Sequence, residues 1–102
     1  MVIKHVVMWT LKDEALGNSK AANLQQMKHM LEALPVLIPL IKELEVGLNV
    51  KAGKAAHDIV LTCTFESMDD LETYQHHPAH LSVADFVGKV REKRAVVDYE
   101  MS

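Results

Sequence analysis

The chain has 102 residues, of which 49% are hydrophobic and 25% charged, and its formal net charge at pH 7 is −3. This length and composition predict one soluble globular domain over residues 1–102 and argue against disorder. Lysine and arginine are scattered, which excludes a nucleic-acid footprint, and no apolar stretch is long enough to span a membrane. The N-terminus lacks the layout of a secretory signal, and the one cysteine forms no internal disulfide, so we expect a cytoplasmic protein.

The first predicted element is a strand over residues 2–10, where β-branched and apolar residues run without a helix breaker. Side chains alternate between the two faces of a strand. One face carries Ile3, His5, Val7 and Trp9. Because both faces are mostly apolar, we expect both to be buried.

A polar loop over residues 12–18 precedes the first predicted helix, for which Ser19 is a candidate N-cap. Apolar residues then recur at helical spacing: Leu24, Met27, Leu31 and Leu34. Proline is excluded from a helix interior, so Pro35 predicts that the helix ends near Leu34 and that a connector follows.

Two further strands are predicted over residues 44–50 and 58–65, and their spacing favours an antiparallel pair. The segment Ser67–Asp70 has the Ser-x-x-Asp pattern that opens a helix, with Met68, Leu71 and Tyr74 on the inner side. His77-Pro78 should break that helix. The same capping pattern at Ser82–Asp85 predicts a new start there, with Phe86 on the inner face, before a last strand over residues 95–100.

The resulting order is strand, helix, strand, strand, helix in two pieces, strand. This is the split βαβ, ferredoxin-like arrangement of the α+β class: a four-stranded antiparallel sheet with the helices on one face. The opposite sheet face needs a cover, and its candidate residues are Val6, Met8, Val60 and Val96. A bare apolar face favours association, so we predict a homodimer through this face.

Four segments resemble the stress-responsive dimeric α/β-barrel (Dabb) family: the opening strand over 3–8, the run 58–66, the stretch Tyr74–His80 and the closing run 97–100. The Tyr…His-Pro-x-His stretch, together with the histidine of the first strand, is the most specific part. The remainder also fits other dimeric ferredoxin-like families, including cofactor-free monooxygenases. The resemblance implies a homodimer whose two sheets form a barrel.

The Dabb family includes stress proteins with a structural role and a cofactor-free polyketide cyclase, which closes a ring on a linear poly-keto thioester. The resemblance implies that its catalytic tyrosine and two of its pocket histidines match Tyr74, His80 and His5. Ile59 stands where the cyclase has a further pocket histidine, and the cyclase's aromatic first helix is replaced by Leu24, Gln25 and Met27.

His5, Tyr74 and His80 are therefore the candidate catalytic residues, predicted to surround one cavity on the helix side of the sheet. Released by the break at Pro78, His80 can act as a base next to a carbonyl. Tyr74 and His5 can hold or orient the oxygen that gains charge. Each residue also has a purely structural interpretation: His5 as a hydrogen-bonded core histidine, Tyr74 as a packed phenol, and His80 as a turn residue that caps the next helix.

Three imidazoles within five residues, those of His76, His77 and His80, raise the question of a metal site. Pro78 prevents them from sharing one helical face, and neither a cysteine nor a fixed carboxylate is near. We therefore expect no physiological metal and no cofactor.

Two functions of different classes remain open. One is a dimer that binds a ligand or serves as a structural protein without catalysis. The other is a cofactor-free enzyme or binder for a small carbonyl compound, whose identity the sequence does not give. An open space beside His5, Tyr74 and His80 favours the second, whereas filling of that space by Leu24, Met27, Trp9 and Phe86 favours the first.

Overall fold

The computed structural model describes residues 2–101. The elements in this range are β1 (Val2–Leu11), β2 (Glu14–Ala15), β3 (Asn18–Ser19), α1 (Lys20–Glu32), α2 (Leu34–Leu37), β4 (Glu43–Leu48), β5 (Ile59–Phe65), α3 (Met68–His76), α4 (Pro78–Val90) and β6 (Arg91–Met101). No helix within residues 2–101 combines the length and the apolar character needed to cross a membrane.

Four of the strands form one sheet in the order β4-β5-β1-β6, and every neighbouring pair is antiparallel. The side chains of Ile3, Val7 and Trp9 are buried and join the inner residues of the helices in one hydrophobic core. The predicted α+β, ferredoxin-like sheet with helices on one face is therefore confirmed.

The opposite face of the sheet is only partly buried in the single chain. Met8 is 38% exposed, and Val97, Tyr99 and Met101 are also exposed. Val97 pairs with Val6 and so faces outward. The assignment of Val96 to this outer face was wrong, because Val96 pairs with Val7 and shares its helix side. The sequence shows that strand residues alternate, but the register between β1 and β6 decides which set faces the helices.

The Ser19 hydroxyl caps α1 by accepting a hydrogen bond from the amide of Ala22. Met27 and Leu31 are buried on its inner side, and the helix ends at Glu32. Part of the predicted connector is the single turn α2, with Pro35 in its first turn, where the missing proline N–H costs nothing.

The predicted loop before α1 contains a small hairpin, formed by β2 and β3. Its two central residues, Leu16 and Gly17, have φ values of 54° and 76°. Positive φ at both positions is what a type I′ turn requires, and glycine adopts it at low cost.

Ser67 caps α3 as predicted, and Leu71 and Tyr74 are buried, but Met68 is 46% exposed and not on the inner side. The start of the next helix was placed wrongly at Ser82. Helix α4 begins at Pro78, because the His77 ring nitrogen Nδ1 accepts a hydrogen bond from the amide of Ala79. Proline at the first position of a helix suits its fixed φ.

Two strand boundaries also differ from the prediction. β4 ends at Leu48, so Val50 lies outside the strand and is fully exposed. β6 extends over Arg91–Met101 rather than 95–100, because it pairs with β1 along almost its whole length. The added N-terminal residues of β6 contribute to the candidate site.

Candidate functional site

A cavity of about 360 Å³ lies between the helix side of the sheet and helices α3 and α4. Its wall is largely apolar, with side chains such as Leu61 and Val83. The polar groups on this wall include those of His5, Trp9, Tyr74, His80, Arg91 and Arg94. This volume is within the range of about 300–1,000 Å³ usual for small-molecule sites. Leu24, Met27 and Phe86 do not line the cavity, so of the four side chains that would fill it only Trp9 forms part of the wall.

The structure brings His5, Tyr74 and His80 together around this cavity. The ring centroids of Tyr74 and His80 are 4.5 Å apart, and those of His5 and Tyr74 are 6.2 Å apart. The Tyr74 ring therefore lies close to both imidazoles, and all three side chains line the same cavity.

His5 is buried on β1, and its ring nitrogen Nδ1 is hydrogen-bonded to a carboxylate oxygen of Asp98 on β6. The two residues are direct cross-strand partners, so the pairing register holds them together. An ionised carboxylate only accepts hydrogen bonds, so Nδ1 carries the proton. In the neutral ring, Nε2 is then the nitrogen with a free lone pair.

Tyr74 is fully buried on α3, and its ring also packs against Phe65 at a centroid distance of 5.0 Å. Among residues 2–101, no hydrogen-bond partner meets its hydroxyl. The Cys63 thiol lies beside the phenol without satisfying hydrogen-bond geometry, and burial raises the pKa of this thiol to about 12. Burial, with a smaller contribution from Cys63, also raises the pKa of Tyr74 above its ordinary value, so the phenol remains a proton donor.

His80 lies in the first turn of α4, and the expectation that Pro78 frees it from helical register is wrong. Its Nδ1–H donates to the backbone carbonyl of Gln75 at 3.1 Å, which leaves Nε2 as the acceptor. Burial lowers the pKa of His80; the bond to Gln75 opposes this shift, and the charges of His5 and Arg94 add to it. His80 is therefore neutral at pH 7 and able to accept a proton. The cap of α4 is His77 rather than His80.

The two remaining imidazoles of the histidine cluster have separate hydrogen bonds. The ring of His76 donates to the carbonyl of Glu72, and that of His77 caps α4. Within the described range, no three side chains of histidine, cysteine, aspartate or glutamate come together as metal ligands.

Asp98, Arg91 and Arg94 were not among the residues predicted from the sequence. Asp98 belongs to the closing run that resembles the family, yet nothing in that run shows that it faces His5. Only the register of β6 against β1 brings the two together. Arg91 and Arg94 both precede the predicted strand over residues 95–100. A prediction that extended this strand back to α4 would have included both arginines.

The model of the stress-responsive A/B barrel domain (Dabb) matches residues 3–101 of this chain. The chain belongs to the Dabb family. This confirms the resemblance noted in the sequence, and it extends over nearly the whole chain.

The chain is also similar to three known proteins. Olivetolic acid cyclase of Cannabis sativa is 27% identical over 101 residues, covering 97% of this chain and 96% of the cyclase. A dimeric ferredoxin-like protein of unknown function from Bacteroides fragilis is 35% identical, with a TM-score of 0.87 and coverage of 98% and 96%. A hydroxynitrile lyase from Passiflora edulis has a TM-score of 0.85 at 20% identity, with coverage of 99% and 94%; this likeness shows the shared fold alone.

Proposed function

We propose that this Dabb protein binds a small carbonyl compound in the cavity and removes a proton from the carbon next to the carbonyl, without a cofactor. His80 is the base, Tyr74 binds the oxygen that gains charge, and His5, held by Asp98, orients the bound group. One observation carries the proposal: the His80 imidazole packs against a buried phenol whose hydroxyl has no partner within residues 2–101.

The proposed step needs only the substrate, His80 and Tyr74. The C–H bond breaks, its proton forms a bond with Nε2 of His80, and the electron pair moves onto the carbonyl oxygen. The Tyr74 hydroxyl donates a hydrogen bond to the resulting enolate oxygen, where a preorganised donor has its largest effect. Return of the proton from His80 to carbon completes the exchange; if the enolate carbon instead attacks a second carbonyl, the alkoxide that forms takes this proton from His80.

The Tyr74 hydroxyl is sealed from solvent in the free protein. A ligand oxygen therefore reaches it only after a small displacement of the wall beside the ring. An unsatisfied buried hydroxyl costs about 1–3 kcal/mol, and a ligand oxygen that bonds to it recovers part of this free energy on binding.

Olivetolic acid cyclase, to which this chain is 27% identical, supports an activity on carbonyl compounds. Ring closure on a poly-keto chain requires a carbanion next to a carbonyl, which is the species that the proposed step forms. The resemblance implies that the chain departs from the cyclase at Ile59 and in the first helix, so we propose the proton transfer and not the cyclase's substrate.

We also propose a homodimer through the outer face of the sheet. Met8, Val97, Tyr99 and Met101 expose apolar surface there, and the Bacteroides fragilis relative is described as dimeric. Stacking of two such faces would remove this surface from water, which stabilises association. The one cysteine, Cys63, is buried and unpaired, in keeping with the proposed cytoplasmic location.

The second candidate function is a dimer that binds a ligand without catalysis. The sealed Tyr74 hydroxyl favours it, because a group closed off from the cavity would act only as a packed phenol.

Deuterium exchange separates the two candidates. Methyl 4-oxo-4-phenylbutanoate, a stable neutral ketone, is incubated in D₂O with the protein, and NMR follows the loss of the hydrogens next to the ketone. A general base contributes about 10²–10⁴-fold, so we expect His80→Gln to lose at least a hundredfold of the catalysed rate. His76→Gln is the matched control, since His76 lies on α3 outside the cavity. A wild-type rate no faster than that of His80→Gln would refute catalysis and favour the binding dimer.

A further inference from the structure

Two arginines, Arg91 and Arg94, line the cavity where α4 passes into β6. Residues three apart on a regular strand point to opposite faces. Here the pairing register shifts between Thr10 and Leu11, so that Arg91 pairs with Leu11 and Arg94 pairs with Trp9. A bulge of this kind redirects side chains, and it allows both arginines to line the cavity side of the sheet.

Within residues 2–101, no carboxylate forms an ion pair with either arginine. The Asp98 carboxylate on the same strand is bound to His5. The whole chain has a net charge of −3, so two uncompensated cations on one cavity wall do not follow from a generally basic composition.

A further donor lies on the same wall. The indole Nε1–H of Trp9 is buried and has no hydrogen-bond partner among residues 2–101. Trp9 is the cross-strand partner of Arg94, so these two residues are neighbours in the sheet. Of the described residues, the two whose buried side-chain donors have no partner, Trp9 and Tyr74, both line this cavity.

We infer that the ligand of this cavity carries a carboxylate, which Arg94 and Arg91 bind while its carbonyl group meets Tyr74 and His80. This rests on the proposed function for the carbonyl part and extends it to the substrate class, a small keto acid. Arginine suits the task because its planar donors match a carboxylate in a two-point hydrogen bond. The bound carboxylate would fix the distance from the arginines to the reacting carbon.

The test compares two ligands that differ only in charge. Calorimetry measures the binding of 4-oxo-4-phenylbutanoate and of its methyl ester to wild type, Arg94→Gln, Arg91→Gln and Arg94→Lys. Because a hydrogen bond to a charged group is among the stronger ones in proteins, each glutamine variant should bind the acid at least about tenfold more weakly. The ester should bind all variants alike, and Arg94→Lys should recover part of the loss. Lys54→Gln, which removes the same charge from an exposed loop outside the cavity, is the control.

The outcomes separate this inference from the proposed function. If the acid and the ester bind wild type equally, or Lys54→Gln weakens acid binding as much as Arg94→Gln does, the carboxylate inference is wrong. Exchange of the ester hydrogens by wild type would in that case still support the proton transfer. If acid binding depends on the arginines but neither ligand exchanges hydrogen, the anion site stands and the catalytic proposal fails.

Discussion

His5 and Asp98 face each other on neighbouring antiparallel strands, and a hydrogen bond joins the imidazole to the carboxylate. Asp98→Ala would leave a buried ring nitrogen without its partner, which costs about 1–3 kcal/mol of the free energy of unfolding. Urea denaturation measures this loss. Glu100→Ala is a matched control, because Glu100 lies two residues further along the same face of β6 and is exposed. Equal effects of the two substitutions would contradict a structural contribution from the His5–Asp98 bond.

Tyr74→Phe should separate stability from function. The Tyr74 hydroxyl is buried without a partner in the described part of the chain, so its removal deletes no hydrogen bond. We expect the free energy of unfolding to stay the same or rise by up to about 1–3 kcal/mol, the cost of an unsatisfied buried group. The rate of deuterium exchange should fall, since the enolate oxygen loses its donor. A variant that is destabilised and keeps full exchange activity would show that the phenol serves packing alone.

The exchange rate should fall at low pH with a midpoint below 6.5, the ordinary pKa of histidine. Burial lowers the pKa of His80, with further lowering from the charges of His5 and Arg94, so the neutral base persists to lower pH. Below the midpoint the ring is protonated and accepts no proton from the substrate. A pH–rate profile measures the midpoint. A midpoint above 6.5 would contradict the assignment of His80 as the base.

The free energy of unfolding should also depend on the protonation of His80. Because the pKa of His80 is lower in the folded chain, the unfolded chain takes up its proton first as the pH drops below 6.5. This contribution to stability is therefore present above 6.5 and declines as the pH falls toward the pKa of the folded state. His80→Gln should remove that part of the decline, whereas His76→Gln should retain it. Urea denaturation at a series of pH values tests both variants.

Met8→Asp should dissociate the proposed dimer. Met8 lies on the outer face of the sheet, where an aspartate would place an unpaired charge in the interface, and such burial is costly. Light scattering at micromolar concentration should give a dimer for wild type and a monomer for the variant. Val36→Asp is the control, since Val36 on α2 is 86% exposed. A wild-type monomer at this concentration would refute the dimer itself.

Much of the fold could be predicted because local patterns agree with the global arrangement. Alternating apolar residues gave β1 and β5, and the Ser19 and Ser67 caps gave the starts of α1 and α3. The start of α4 was missed because two local signals competed. Ser82 to Asp85 has the Ser-x-x-Asp pattern, but the helix begins one turn earlier, at Pro78, with His77 as its cap.

The site was predictable only in part, because the sequence does not show how β6 pairs with β1. His5, Tyr74 and His80 could be named from the resemblance and from the faces of their elements. The positions of Asp98 and Arg94 depend on which β6 residue pairs with which β1 residue, and that of Arg91 depends also on the bulge after Thr10. No local pattern encodes a shift between strands that are some 80 residues apart in the chain.

The most direct test is a crystal structure of the protein with 4-oxo-4-phenylbutanoate bound. We expect the ketone oxygen to lie about 2.6–3.2 Å from the Tyr74 hydroxyl, with the neighbouring CH₂ carbon facing Nε2 of His80. The carboxylate should contact the guanidinium group of Arg94. A ligand bound elsewhere, or one in the cavity with its ketone turned away from Tyr74 and His80, would contradict the proposed site.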